Sequence, residues 1–282
     1  MAYRENNKNA WEEAFRHRKK GWGDDLVTRI KAEPYAFLDN DLIAAMAAHD
    51  LSGKTIAQFC CNNGRELLSL VKSGAKSGVG FDIAENMISY ANQVAQELQL
   101  NCSFFATDIL AIDDNYHDSF DYIFITIGAL TWFQDLRAFF HVAARCLKPG
   151  GFLMIHEMHP FTNMLAMPGE DEYDISSPAN LIHSYFRSNP WIETGGMDYM
   201  SDPEHDYHET FTSFSHTFAE IINAITSNHV QVIDLKEFDH DLSGSFKELE
   251  GQGIPLSYIL VAKKSMDLTS MIDVHDDSEI HR

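Results

Sequence analysis

The middle of the chain alternates between short apolar runs and longer stretches in which apolar residues recur every three or four positions. The short runs predict strands at 55–59, 78–81, 103–106, 122–127 and 152–156. The longer stretches predict amphipathic helices at 65–72, 85–98 and 135–147. Because strands that alternate with helices form parallel sheets, we expect an α/β fold with helices on both faces of the sheet.

This alternation ends after residue 156. Residues 160–216 contain many proline, glycine and aromatic residues without clear periodicity, which predicts an insertion rather than an ordinary loop. A helix near 217–226 is followed by two strands, 230–238 and 257–263, with no helix between them, which predicts an antiparallel last strand. The expected fold is a seven-stranded, mostly parallel, doubly wound α/β sheet with an antiparallel last strand and an insertion after strand five.

Composition and charge narrow the classes of partner. The chain has 282 residues, 45% of them hydrophobic, and a formal net charge of -21. Such a surface repels nucleic acid and anionic lipid, so we expect neither as a partner. The first residues lack an apolar signal core, and no run approaches the roughly 20 apolar residues of a membrane span. These features favour a cytoplasmic protein.

Cysteine and histidine spacing gives no sign of a metal site. The four cysteines form no CxxC pair, and HEMHP at 156–160 differs from the zinc-binding HExxH. The polar cluster at 205–209, HDYHE, matches no known ligand spacing, and we interpret it as part of a polar lid. We therefore predict free thiols in a reducing compartment and no metal.

The most informative segments are TIAQFCCNNG, which starts at residue 55, and GVGFD, which ends on Asp82. A strand, a tight turn and a carboxylate after the next strand are typical of a nucleotide-binding sheet, in which the carboxylate holds a ribose. The pyrophosphate pattern GxGxxG fails, because its positions hold Cys60, Asn62 and Arg65. Asn62, Asn63 and Gly64 tolerate positive φ, so the turn suits a nucleoside ligand without phosphates.

Several segments, in order, resemble class I S-adenosylmethionine-dependent methyltransferases. They are FCCNNG at the turn, Asp82, TDI at 107–109, FDYIFITIGAL at the fourth strand and LKPGG before the fifth. GALTW, LKPGG and HEMHP also resemble a bacterial branch whose turn reads Cys-Asn-x-Gly. The resemblance is close over residues 55–157 and implies a Rossmann-like fold. It also implies S-adenosyl-L-methionine as cofactor, S-adenosyl-L-homocysteine as product, and methyl transfer to a small-molecule acceptor by in-line displacement.

Two positions depart from the family pattern and support an alternative. Gln58 stands where most relatives have an acidic residue, and Cys60 stands where they have glycine. The alternative is a non-catalytic cofactor-binding or scaffold protein with the same fold. A nicotinamide-linked oxidoreductase is disfavoured by the missing glycines and by the expected closing strand pair.

The resemblance implies cofactor roles for residues that follow the first four strands. The amino-acid end would lie against the backbone of Phe59, Cys60, Asn62 and Gly64. The nucleoside would contact Asp82 through its ribose, and Ile83, Met87, Asp108 and Ile109 through its adenine. The end of strand four would close the site with Thr126, Ile127 and Gly128. Alternatively, Asp82 caps the following helix, Asp108 is a turn residue, and Met87 belongs to the core.

Acceptor-side residues are expected beyond the fourth and fifth strands. Methyl transfer needs a base only when the acceptor must lose a proton, and we predict that Glu157 or His159 orients or deprotonates the acceptor. Trp132 and His216 are candidate substrate contacts. The alternative is that Glu157 and His159 are polar residues at a strand end that loop backbone satisfies, and that His216 caps the following helix. The sequence leaves the acceptor unspecified and a homodimer open.

These expectations divide the chain into parts with distinct roles. The parts are an N-terminal helical cap (1–50), a cofactor-binding Rossmann-like core (51–159), an insertion or lid for acceptor recognition (160–216), a closing helix with the last two strands (217–265) and an acidic tail (266–282).

Overall fold

The computed structural model describes residues 2–266, so the expected acidic tail lies, apart from Met266, outside the described residues. The strands within this range are β1 Thr55–Phe59, β2 Ser77–Asp82, β3 Cys102–Ala106, β4 Phe120–Thr126, β5 Leu147–Met158, β6 Trp191–Thr194, β7 Thr210–Ser213, β8 Val230–Phe238 and β9 Ser257–Lys264. The α-helices are α1 Ala2–Arg16, α2 Leu26–Ala32, α3 Asn40–Met46, α4 Arg65–Lys72, α5 Glu85–Leu98, α6 Leu136–Cys146 and α7 Phe218–Thr226.

The main sheet has seven strands in the order β3-β2-β1-β4-β5-β9-β8. Strand β1 pairs in parallel with β2 and β4, whereas β9 runs antiparallel to both β5 and β8. This topology confirms the predicted fold class. The order of the strands reverses between β1 and β4, which is the position where open α/β sheets bind ligands beyond the carboxyl ends of their strands.

Helices cover both faces of this sheet. Helices α6 and α7 pack on one face over a buried cluster that includes Phe59, Phe139 and Ile225. Helices α2 to α5 pack on the other face over a cluster that includes Leu67 and Ala91. Burying each large side chain of this kind contributes about 1.5–3 kcal/mol, so the two faces together hold β1 and β4 in a fixed register.

Some element bounds differ from the expected ones. Strand β4 ends at Thr126, so Ile127 lies in the following loop and not in the strand. Strand β5 begins at Leu147, because Leu147 pairs with Phe120 before a register shift. The insertion contains the β6–β7 hairpin, which its sequence does not show because Ile192 faces solvent and breaks the usual alternation.

Helix α1 and the hairpin form a cap over the carboxyl ends of the strands. The Asn7 side-chain amide donates to the Thr212 carbonyl (2.9 Å), and the Thr212 backbone N–H donates to the Asn7 side-chain oxygen (2.7 Å). Lys8 on α1 also pairs with Glu85 at the start of α5 (2.6 Å). The cap residues are therefore tied both to each other and to the core. No helix within residues 2–266 is both long and apolar enough to cross a bilayer.

Candidate functional site

The loop after β1 makes a tight turn with left-handed backbone at Cys60, Asn62 and Gly64, whose φ angles are 55°, 52° and 76°. The backbone N–H of Asn62 donates to one oxygen of Asp82 (2.8 Å), and the N–H of Ala84 donates to the other (3.1 Å). Each oxygen keeps a second acceptor position. Asp82 is thus held beside the turn at the end of β2, where a ribose would lie. Phe59 is fully buried, so only its backbone reaches the turn.

Buried polar atoms without partners lie at the same turn. Asn63 is fully buried, and neither its amide nitrogen nor its amide oxygen has a hydrogen-bond partner among residues 2–266. The side-chain oxygen of Gln58, itself 1% exposed, is also unpartnered within that range. Each such group costs about 1–3 kcal/mol. These atoms fit a ligand that brings its own polar groups, such as the amino-acid end of S-adenosylmethionine.

A carboxylate from α4 reaches the strand position where Gln58 stands. The Gln58 amide nitrogen donates to Glu66 and to the Thr126 hydroxyl (2.9 Å), and that hydroxyl donates to the same Glu66 oxygen. Glu66 is the second residue of α4, directly after the turn. The negative charge that Gln58 lacks is therefore supplied at the same place by Glu66.

The electrostatic environment of the turn is negative. Burial raises the pKa of the Cys60 thiol well above its usual range, and the charges of Asp82, Glu157 and Asp108 raise this pKa further. Cys60 is accordingly a neutral thiol. A buried carboxylate beside the turn disfavours a phosphate there, which agrees with the failed GxGxxG pattern.

One cavity of about 340 Å³ lies beyond β2 and β3, at the expected adenine end. Ile83, Thr107 and Asp108 line it, and Arg4 and Lys8 of α1 cover it. Asp108 forms an ion pair with Arg4 and accepts the Leu110 N–H (3.0 Å). Its carboxylate is therefore already engaged with α1. The remaining adenine-side candidates are buried: Ile109 is 3% exposed and Met87 is 1% exposed.

Glu157 holds the loop after β4. Its carboxylate accepts the backbone N–H groups of Gly128 (2.6 Å), Ala129 (2.7 Å) and Leu130 (3.1 Å). Burial raises the pKa of Glu157 to about 7, against the opposing effect of these amides. The contacts give Glu157 a positioning function for Gly128, and its function as a base stays a prediction. A Cβ at Gly128 would meet no atom within 4 Å, so the loop borders open space.

The two candidate histidines are engaged with neighbouring groups. His159 accepts the Phe161 N–H at Nδ1 (3.0 Å), and its Nε2 lies 2.9 Å from Glu237 on β8. His216 Nε2 lies 2.8 Å from the Phe133 carbonyl oxygen, which follows Trp132 in the chain. His159 thus contacts a loop N–H and a strand carboxylate, and His216 contacts a backbone carbonyl; the functional roles of both stay predictions.

Aromatic side chains close the crevice from the cap side. Trp11 of α1, Trp132 and Phe211 of β7 contact one another at 5.3–5.5 Å between ring centroids. The Asn62 side chain also donates to the hydroxyl of Tyr199 in the insertion (2.9 Å). Trp132 thus lies where the cap meets the loop after β4, and its expected role as a substrate contact stays a prediction.

A second cavity, of about 330 Å³, lies on the other side of the turn, beyond β4 and β5. Its wall includes Glu66, Thr126, Ile127 and His156, together with Phe37 from the α2–α3 connection. Both cavities are at the small end of the range for small-molecule pockets. Their positions on either side of the turn suit a nucleoside end and an acceptor end.

Sequence reasoning missed Glu66 and Arg4. It expected positive φ at Asn63, whereas the structure has it at Cys60, Asn62 and Gly64, and it missed the buried side chain of Asn63. Glu66 carries a usable signal, since an acidic residue in the first turn of the helix after the loop lies close to the strand end. Arg4 gives no such signal, because its partner Asp108 is 104 positions away.

Comparison with known proteins agrees with this geometry. A family model described as a methyltransferase domain matches residues 56–151. Two curated relatives are named demethylmenaquinone methyltransferase. One, from Oceanobacillus iheyensis, is 29% identical over 137 residues, which are 48% of this chain and 49% of that protein. The other, from Lactococcus lactis subsp. lactis, is 32% identical over 115 residues, or 39% and 45% of the two chains. The chain spans about half the length of these relatives.

Solved structures share the fold at low identity. An S-adenosylmethionine-dependent methyltransferase from Mesorhizobium loti superposes with a TM-score of 0.60 at 18% identity and covers 83% of this chain and 100% of that one. Geranyl diphosphate C-methyltransferase from Streptomyces coelicolor has a TM-score of 0.58 at 12% identity, with 94% and 98% covered. Residues 56–151 thus match a methyltransferase domain, and the sheet has the fold of S-adenosylmethionine-dependent methyltransferases of known structure.

Proposed function

We propose that this protein transfers a methyl group from S-adenosylmethionine to a small-molecule acceptor. The observation that carries the proposal is the turn after β1, where the Asn62 and Ala84 N–H groups hold Asp82 and the buried Asn63 amide has no hydrogen-bond partner among residues 2–266. A sulfonium nucleoside carries a ribose diol for Asp82 and polar groups for Asn63, and it lacks the pyrophosphate that a dinucleotide would place beside this carboxylate. The matched methyltransferase domain supports the same ligand.

The chain would hold the cofactor with residues from three strand ends. The backbone of Cys60, Asn62 and Gly64 and the side chain of Asn63 would contact the amino-acid end. The free acceptor positions of Asp82 would take the ribose hydroxyls. Asp108 would contact the adenine amino group, with Ile83 beside the ring.

The cofactor supplies an activated methyl group, so the protein's main task is to align the acceptor in a dry space. Trp132 and the other cap aromatics exclude water from the loop after β4. Glu157 fixes Gly128 and its neighbours at the methyl end of the site. If the acceptor must lose a proton, Glu157 and His159 remain the candidate bases.

The acceptor would enter the second cavity. Its walls combine apolar surface from Phe37, Leu42 and Ile127 with polar groups such as His156 and Glu66, which suits a small, partly apolar molecule. The curated relatives are named for a quinone-type acceptor. Small phenols and quinols are therefore the first acceptors to test.

Calorimetry tests the cofactor assignment. We expect S-adenosylmethionine and S-adenosylhomocysteine to bind and NAD not to bind. Asp82→Ala should weaken binding more than about tenfold, because a buried hydrogen-bonded contact to the ribose contributes about 1.5–3 kcal/mol. Asp113→Ala is a matched control, since Asp113 also accepts an N–H two residues on (2.7 Å from Asn115) and lies outside the site.

The results of these titrations distinguish the proposed function from its alternatives. Binding of the nucleoside cofactor with unchanged affinity in a folded Asp82→Ala variant contradicts the ribose assignment. Binding of NAD alone contradicts the proposal as a whole. Binding of the cofactor without formation of S-adenosylhomocysteine on any of a panel of phenols, quinols and amines favours the non-catalytic alternative.

A further inference from the structure

Asp39, Asp41 and His240 form a cluster at the rim of the second cavity. Asp39 is the N-cap residue of α3, Asp41 lies in its first turn, and His240 comes from the connection between β8 and β9. One ligand atom from each of the three lies within 4.8 Å of the others. His240 Nδ1 is 3.5 Å from an Asp41 oxygen and 4.0 Å from an Asp39 oxygen.

These separations are close to those of atoms that share a metal ion. Nitrogen and oxygen ligands lie about 2.0–2.2 Å from Zn²⁺, so two ligands at a tetrahedral angle are about 3.4 Å apart. The two His240 pairs, at 3.5 and 4.0 Å, are slightly wider than this separation, and all three ligand atoms lie within 4.8 Å of one another. Its three side chains are also half-buried rather than fully solvated.

Asp39 is oriented for this purpose by the helix that it caps. Its Oδ1 accepts the backbone N–H of Asp41 (2.8 Å), which fixes the carboxylate, while its Oδ2 faces His240. An outer hydrogen bond that fixes one oxygen and leaves the other free is typical of metal-binding carboxylates.

An independent observation points to a ligand in the same cavity. His156 lines it together with Asp39 and His240 and is 1% exposed. Its Nε2 has no hydrogen-bond partner in the part of the chain from 2 to 266. A buried imidazole nitrogen without a partner is costly unless the cavity holds water or a ligand that contacts it.

We propose that Asp39, Asp41 and His240 bind a divalent first-row transition ion at the rim of the cavity that His156 lines. One imidazole with two carboxylates suits Zn²⁺ or Mn²⁺ better than Mg²⁺ or Ca²⁺, which prefer oxygen ligands alone. Three protein ligands leave open coordination positions, and these border the cavity. If the proposed function is correct, an acceptor that carries an oxygen ligand would bind the ion there.

Because metal affinity depends on pH, calorimetry of the chelator-treated protein at a fixed pH of about 7.5 tests the site. We expect one saturable site for Zn²⁺ and for Mn²⁺. Asp39→Asn and His240→Ala should each weaken binding by about tenfold or more, the range found for altered metal sites. Asparagine caps helices as well as aspartate does, so Asp39→Asn keeps α3 intact.

His117→Ala is the matched control. His117 Nδ1 lies 3.2 Å from Asp118, but the pair lacks a second carboxylate and is exposed. The proposal is overturned if the protein shows no saturable binding up to about 1 mM ion, a range that includes weak sites. It is also overturned if Asp39→Asn and His240→Ala bind as the unaltered protein does. Because no cofactor is added, neither result depends on methyl transfer, and a failure here leaves the cofactor titration as a separate test.

Discussion

Replacing Gln58 by glutamate restores the acidic residue that most relatives have at this strand position, yet we expect it to destabilise this protein. Gln58 is 1% exposed, and its amide nitrogen donates to both Glu66 and Thr126. A carboxylate at position 58 has no hydrogen to donate at neutral pH. It would also place a second negative charge against Glu66 in a poorly solvated space.

The size of the effect follows from the two lost contacts. The hydrogen bond to the charged Glu66 is worth about 1.5–3 kcal/mol, and the one to the neutral Thr126 about 0.5–1.5 kcal/mol. Gln58→Glu should therefore lower the free energy of unfolding by about 3 kcal/mol. The paired carboxyls would hold a shared proton with a raised pKa, so the loss is present above that pKa and is recovered as the pH falls.

Urea unfolding, followed by tryptophan fluorescence, measures this loss. The double variant Gln58→Glu with Glu66→Gln exchanges the two groups and should recover at least about half of it, since a donor again faces an acceptor. Thr126→Val is the control for the weaker contact alone. Strictly additive single effects in the double variant, or a Gln58→Glu protein as stable as the original at neutral pH, would refute the interpretation of Glu66 as the compensating charge.

Three further predictions concern single positions. Burial raises the pKa of Glu157 to about 7, so the folded state binds an extra proton between about pH 4.5 and 7. The free energy of unfolding should therefore fall by about 3 kcal/mol as the pH rises through this window. Urea melts of Glu157→Gln should lack this dependence on pH. Gly64→Ala should lower the free energy of unfolding, measured in thermal melts, by about 3 kcal/mol, because its Cβ would lie 2.6 Å from the Phe104 ring. Gly128→Ala, also at positive φ but facing open space, should lower it by about 1–2 kcal/mol. Asn7→Ala should reduce hydrogen-exchange protection in both α1 and β7, since it removes both hydrogen bonds that join them; unchanged protection would mean that packing alone holds the cap.

The fold was predictable because its main signals are local. Apolar periodicity gave the core elements within a few residues, and β1, α4, α5 and β8 have the bounds that the pattern indicates. The hairpin in the insertion was not predictable in this way. Its strand β6 exposes Ile192, and β7 is held by Asn7 of α1, whose amide lies 205 positions away in sequence. Periodicity cannot detect short strands that expose apolar side chains and depend on a side chain from a distant helix.

The site was predictable where one strand end determines it and unpredictable where two distant segments meet. Asp82 lies at the turn because β2 pairs directly with β1, so the strand order alone brings it there. The hydrogen bond between Gln58 and Glu66 forms because α4 folds back over the end of β1. A position-by-position comparison with relatives therefore shows only that the acidic residue of the strand is missing. The physical requirement is negative charge at the end of β1, and either the strand or the first turn of the next helix can supply it. A neutral residue at position 58 is thus weak evidence against cofactor binding when residue 66 is acidic, which is why the exchange of these two groups is the most informative test of the site.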